Sequence, residues 1–272
     1  MPSLLRHVLA CTDARLPGGR LRLFLGTVPV GWVRPDVAEA ATGQGRVSAD
    51  GISLPDAAAL GRTATVLAAQ GRYRPRGEAF AIRSDGDGAV LGAIDRAALP
   101  VLGLRAHNAH LNGLVRRRDG LHLWVATRAA HKELGPGKLD HLVAGGIPFG
   151  LTARETLVKE CAEEAGLPPA LAARAVPVPS LAYATERPEG LRRETLHCFD
   201  LDVPEAFHPV PVDGEVAGFA LWPMLRVMEA LRETEDFLYD VALAVIDLAL
   251  RTGHVPDKEV PALRAALAHC AA

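Results

Sequence analysis

Serine is scarce, five residues in 272, and none stands in a G-x-S-x-G turn, which removes the nucleophile elbow of serine hydrolases. No apolar run reaches the roughly 18–20 residues that cross a bilayer, so no membrane-spanning helix is expected. Lysine is nearly absent, four residues against 26 arginines, yet the formal net charge is only −2. A chain so balanced has no global basic field to gather nucleic acid or an anionic membrane. The four cysteines (Cys11, Cys161, Cys198, Cys270) lie far apart with no C-x-x-C. They predict small buried side chains in a reduced compartment, not a disulfide frame or a zinc site. Met1 to Ala10 holds one Arg and a broken apolar stretch, which predicts no signal peptide and a cytoplasmic location. Gly135-Pro136-Gly137-Lys138 runs into Leu139 without P-loop spacing, and no G-x-G-x-x-G follows a strand. What is left is an ordinary globular composition, 49% apolar and 23% charged, in a chain long enough for two domains.

The first hundred residues read as a separate small α+β unit. Leu21 to Val33, broken by Gly26, Pro29 and Gly31, predicts short strands, and Pro35 to Ala41 and Leu54 to Gln70 predict helices. Ala79–Ile82 and Ala89–Ile94 flank Ser84-Asp85-Gly86-Asp87-Gly88, which reads as a hairpin turn. It is not a calcium loop, because Arg96 holds the twelfth place where a bidentate Glu belongs. From His107 the pattern changes. Ala109–Arg117 and Leu121–Arg128 predict two strands joined at Asp119-Gly120, and a polar loop and a short strand at His141–Ala144 follow. A helix is predicted from about Ala153 to Ala165, ended by Gly166. Val176–Tyr183, Leu196–Leu201 and Gly218–Trp222 predict further strands, and the last fifty residues predict helices. The expected division is 1–104 and 105–272.

Chemistry concentrates in Gly145 to Leu167, GGIPFGLTARETLVKECAEEAGL. Thr152 and Glu155 have the spacing of a capping box. Glu160, Glu163 and Glu164 fall within one arc of about 100° on the helix, beside an apolar arc of Leu157, Cys161 and Ala165. Three carboxylates on one face repel one another unless a cation sits between them, and hard oxygen donors suit Mg²⁺ or Mn²⁺. A solvated acidic face is the plain alternative.

The glycines around the helix shift the balance toward the metal site. Gly145, Glu160, Glu163, Glu164, Gly166 and Leu167 resemble the Nudix box, G-x5-E-x7-R-E-U-x-E-E-x-G-U with U a bulky apolar residue, across all its positions without a gap. Two places depart from it: Leu151 stands for the first Glu and Lys159 for the Arg. Lys supplies the charge that orients a neighbouring carboxylate but not the planar fork. His110-Leu111-Asn112-Gly113, Leu139-Asp140, Val143-Ala144-Gly145-Gly146 and Asp213-Gly214-Glu215-Val216 further resemble the Nudix proteins related to thiamine pyrophosphokinase, a branch with an extra N-terminal domain. Gly31-Trp32-Val33-Arg34-Pro35 is similar to a segment of that domain.

The resemblance implies an α/β/α sandwich with a mixed sheet, preceded by the small α+β domain. It implies hydrolysis of a small organic diphosphate to a monophosphate with Mg²⁺ or Mn²⁺. The substrate implied by the branch is thiamine diphosphate or its oxo and oxy analogues; an 8-oxo-dGDP-type oxidised nucleotide is the rival. Glu160, Glu163 and Glu164 are the implied metal ligands with the Gly145 backbone, Glu163 and Glu164 also serving catalysis, and Lys159 is the orienting residue. Glu215 is either a base or ligand facing the metals or a solvent-facing turn residue. Arg128, Lys132, Lys138 and Asn112 are the substrate-binding candidates, with surface or turn roles as their alternatives. His107 and His110 have a spacing that suits a metal but lack further ligands, and Arg116–Arg118 read as a wet strand end. Expected partners are a small-molecule diphosphate and a second copy in a homodimer, with no nucleic acid or membrane. A binding module that has lost catalysis, suggested by Leu151 and Lys159, is the reading from another class; the retained carboxylates argue against it.

Overall fold

The structure, a computed structural model, describes residues 3–85 and 88–269. Cys270 and the turn residues Gly86 and Asp87 lie outside the described residues. The chain begins with α1 (Leu5–Cys11), then β1 (Leu21–Leu25), β2 (Val28–Val33), α2 (Pro35–Ala40), β3 (Arg46–Ser48), β4 (Gly51–Leu54) and α3 (Ala57–Ala69). A hairpin of β5 (Ala79–Arg83) and β6 (Val90–Asp95) follows, then α4 (Leu99–Leu102). The first four strands form a sheet in the order β2-β1-β4-β3, in which β1 and β4 run parallel. Leu23, Ile52, Leu60, Leu67, Phe80 and Leu102 close this unit's core.

Two expectations for this region change. The helix read from Leu54 begins at Ala57, because Ile52 and Leu54 are buried in β4 against β1, and Asp56 caps the helix by accepting from the Ala59 N–H at 2.8 Å. The unpredicted α1 and the Leu4 before it put Leu4, Val8 and Cys11, spaced about one helical turn apart, into the core with the C-terminal helices. Arg6 binds it there, donating to the carbonyls of Leu231, Arg232 and Thr234. The chain's first helix therefore packs outside the rest of residues 1–104.

The larger sheet comprises β7 (Arg105–Arg117), β8 (Gly120–Arg128), β9 (Leu139–Asp140), β10 (Val143–Gly146), β11 (Val176–Pro177), β12 (Leu181–Arg187), β13 (Gly190–Asp202) and β14 (Val216–Pro223). Its main path is β11-β13-β7-β8-β14, parallel between β13 and β7 and antiparallel elsewhere. The helix α5 (Ala153–Ala165), with the short α6 (Pro169–Ala172), covers one face through Leu111, Val143, Leu157, Cys161 and Phe199. On the other face lie α7 (Met224–Glu233), α8 (Tyr239–Arg251) and α9 (Val260–His269), with α1 beside them. Alternation along β7 makes this possible: Ala109, Leu111 and Val115 face α5, while Leu114 faces the C-terminal helices. The result is a mixed α/β/α sandwich.

The strand expected at Val176–Tyr183 is two strands, divided where Pro177 and Pro179 remove ladder donors. The strand expected at Leu196–Leu201 is longer, beginning at Gly190. Its early residues Arg192, Arg193 and Glu194 are polar, yet ion pairs let them enter the sheet. The thiols of Cys161 and Cys198 are pushed up to about 12 by burial, which leaves them unreactive packing groups. No helix among the described residues is long and apolar enough to cross a membrane.

Candidate active site

The helix that carries three of the carboxylates is fixed at both ends. Thr152 accepts from the Glu155 N–H, Glu155 accepts from the Thr152 N–H at 2.9 Å, and Gly166 ends the helix at φ 60°. Facing the helix, β10 pairs with β7, so Ala144, Gly145 and Gly146 lie in fixed register with His110, Ala109 and Asn108. Glu164 is buried, and its Oε2 accepts from the Ala144 N–H at 3.1 Å. Glu160 lies against Gly145 so closely that a Cβ there would stand 2.6 Å from the Glu160 carboxyl carbon. Glu163 points outward; its Oε2 accepts from Lys159 Nζ at 2.6 Å, and the same ammonium reaches Glu160 at 3.3 Å. Lys159 thus bridges two carboxylates, as a point charge in place of the box's fork.

Two more carboxylates arrive from the turn before β14. Asp213 accepts from the Glu215 N–H at 2.8 Å, and carboxylate oxygens of Glu164, Asp213 and Glu215 lie within 4.8 Å of one another. Glu215 forms an ion pair with Lys132. Arg128 pairs with the buried Asp140 and donates to the Leu134 carbonyl at 3.0 Å. Arg128, Lys132, Asp140, His141, Ala144, Glu164 and Glu215 line a cavity of about 10 Å³, about the space of one water.

The electrostatics follow from this crowding. Burial raises the Glu164 carboxyl well above its ordinary range, and Asp140, Glu160 and Glu215 add to it against the Ala144 N–H. Glu160 is raised for the same first reason, although Lys159 opposes it. Glu215 goes the other way: partial burial would raise it, but Lys132, Arg128 and Arg96 outweigh burial and lower it. Buried carboxylates held together at this cost suit a bound cation, and an all-oxygen set suits a hard one such as Mg²⁺ or Mn²⁺.

The structure brings together Gly145, Glu160, Glu164, Glu215, Arg128 and Lys132, with Glu163 and Lys159 at the rim. It does not bring Lys138 or Asn112 there. Lys138 donates to the Glu235 carbonyl at 2.5 Å, and Asn112, 1% exposed, donates to Asp200 at 2.8 Å. His107 and His110 also separate, since their side chains leave opposite faces of β7. His107 pairs with His197 at 2.9 Å and His110 with His141 at 2.8 Å. Burial lowers both His110 and His141, so this second pair is neutral. Arg116 and Arg117 make exposed ion pairs with Asp202 and Glu205. Sequence reasoning missed Asp213, whose signal was its place two residues before Glu215, and Asp140 and His141, which read as loop and strand.

The N-terminal unit, expected to shape the substrate pocket or a dimer contact, reaches the loop before α5. The Phe149 N–H donates to the Ala79 carbonyl at 2.8 Å, and Phe80 bridges Pro148, so β5 holds the loop between β10 and α5. The Phe80 ring lies where a Cβ on Gly146 would meet it at 2.6 Å.

Residues 108–241 match the family model of the NUDIX domain, the span that holds every carboxylate of this cleft. Among curated proteins, the chain is similar to Nudix hydrolase 24, chloroplastic, of Arabidopsis thaliana, 40% identical over 65% of this chain and 49% of that protein. It is also similar to Nudix hydrolase 20, chloroplastic, of the same plant, 38% identical over 66% of this chain and 48% of that one. The chain thus spans about half the length of the curated relatives it matches. A solved structure, DR0079 of Deinococcus radiodurans, superposes with a TM-score of 0.49 at 22% identity, over 62% of this chain and 98% of that one.

Proposed function

We propose that the chain is a divalent-metal-dependent Nudix-type hydrolase that splits the diphosphate of a small organic diphosphate into a monophosphate and phosphate. One observation carries this reading: Glu164, from α5, and Asp213 and Glu215, from a turn some fifty residues later, converge within 4.8 Å in a cleft also lined by Arg128 and Lys132. The division into an N-terminal unit and a catalytic unit from about residue 105 belongs to the same proposal.

Glu160, Glu164, Asp213, Glu215 and the Gly145 backbone form the donor set for Mg²⁺ or Mn²⁺. When bound, such an ion neutralises diphosphate charge and acidifies water. The protein's own groups do the rest. The Ala144 N–H fixes the rotamer of Glu164. Lys132 holds Glu215 as a carboxylate at the cleft, where it serves as ligand or base. Arg128 and Lys132 offer positive charge to phosphate oxygens. Lys159 sets the spacing of Glu160 and Glu163.

For the organic group we infer thiamine diphosphate or its oxo and oxy analogues, from the segments that resemble the thiamine pyrophosphokinase-related branch. The test is product formation with Mg²⁺ from thiamine diphosphate, oxo-thiamine diphosphate and 8-oxo-dGDP, each beside Glu164→Gln. Selective release of a thiamine monophosphate species by the unmodified protein is the expected result. Turnover of the nucleotide alone would overturn the thiamine part and keep the chemistry; silence on all three would favour a binding module.

A further inference from the structure

We infer that Arg96, carried by the N-terminal unit, binds the diphosphate of the substrate in the carboxylate cleft, so that the site is shared between the two units. The inference rests on the hydrolase reading above and names a residue outside the span 108–241 that the Nudix domain covers.

Arg96 stands at the end of β6, and its backbone is locked. The carboxylate of Asp95 accepts from the N–H groups of Ala97 at 2.9 Å, Arg76 at 3.0 Å and Gly77 at 2.8 Å. The Arg96 N–H itself donates to the Glu78 carbonyl at 2.8 Å. Its guanidinium lies over the Phe80 ring, 5.3 Å from the centroid. Phe80 in turn presses on Gly146, next to the Gly145 that receives Glu160. One chain of contacts therefore runs from Arg96 through Phe80 and Gly146 toward the carboxylate-bearing helix. Nearby, an ion pair of Arg76 with Glu133 joins the same edge of the N-terminal unit to the loop that carries Lys132.

Charge balance gives Arg96 its use. Arg128 is already paired with Asp140, Lys132 with Glu215, and Lys159 with Glu160 and Glu163. A diphosphate entering among these carboxylates gains from a cation beyond the divalent ion and the already paired Arg128 and Lys132. Arg96 has a partner too, Glu78 at 3.0 Å, but both side chains are more than 40% exposed. Exposed pairs contribute little, so this pair yields readily to a phosphate. The planar guanidinium, held over an aromatic ring, offers the fork that matches phosphate oxygens.

The experiment is calorimetry on the full chain with Mn²⁺ alone and then with methylenediphosphonate, a diphosphate that water cannot split, at saturating Mn²⁺. Arg96→Ala should bind Mn²⁺ no more weakly than the unmodified protein and the diphosphonate about tenfold more weakly, with Arg96→Lys recovering part of the loss. Equal diphosphonate affinity in Arg96→Ala and the unmodified protein would overturn the role of Arg96 and leave the hydrolase reading intact. Loss of Mn²⁺ binding in Arg96→Ala would overturn it as well, since the residue would then act through the fold. An unmodified protein that binds Mn²⁺ and ignores the diphosphonate would instead overturn the hydrolase reading.

Discussion

At Gly145 a methyl group would stand 2.6 Å from both the Cγ and the carboxyl carbon of Glu160, within a strand already paired to β7. The backbone cannot retreat, so the Glu160 side chain must. Gly145→Ala should leave the fold intact and reduce turnover roughly 10–100-fold, the range typical of displaced metal-site support; kinetics beside a thermal melt would check it. This glycine and the three helix carboxylates were legible in sequence because they sit at fixed spacing along one segment. Asp213 was less legible, since only folding brings it beside Glu164. Lys138 and Asn112 show the converse. Both lie close in sequence to motif residues, but Lys138 turns to the Glu235 carbonyl and Asn112 to Asp200. Nearness along the chain says nothing about which face of a strand a side chain leaves.

Among the elements, α5 was legible to within a residue because its capping box and glycine stop are local signals, while β13 was legible only where it is apolar. Its early residues depend on distant charge. Arg193 meets Asp85 from the β5–β6 hairpin, and Asp85 also meets Arg22 of β1. That carboxylate ties the N-terminal unit to the main sheet. Burial works to raise its pKa, but Arg193 and Arg22 outweigh burial and lower it below the ordinary 3.8. A carboxylate whose folded pKa is depressed stabilises fully above its unfolded value and loses that contribution as pH falls through the folded value. Asp85→Asn should therefore cost on the order of 2–4 kcal/mol near neutral pH, by leaving Arg193 buried without its partner. The cost should shrink below about pH 4. Thermal melts of both proteins from pH 3 to pH 7 would show this as converging melting temperatures; a constant difference would count against it.

Across the whole molecule, the two units meet where the chemistry is proposed. The helix α5 and the turn before β14 bring the carboxylates, the loop after β8 brings Lys132, and β5 braces the glycine-rich loop from outside residues 108–241. Composition pointed to a two-part chain, but no local pattern could show that α1 packs with the C-terminal helices or that Phe80 presses on Gly146. Both are contacts between distant segments of the chain. The proposed chemistry requires above all that the crowded carboxylates hold a divalent cation. Titrating the full chain with Mn²⁺, beside Glu164→Gln, tests that most directly. The unmodified protein should bind Mn²⁺, and Glu164→Gln, still folded, should bind at least about tenfold more weakly, as loss of one charged ligand requires. Equal affinity in the two proteins would contradict it.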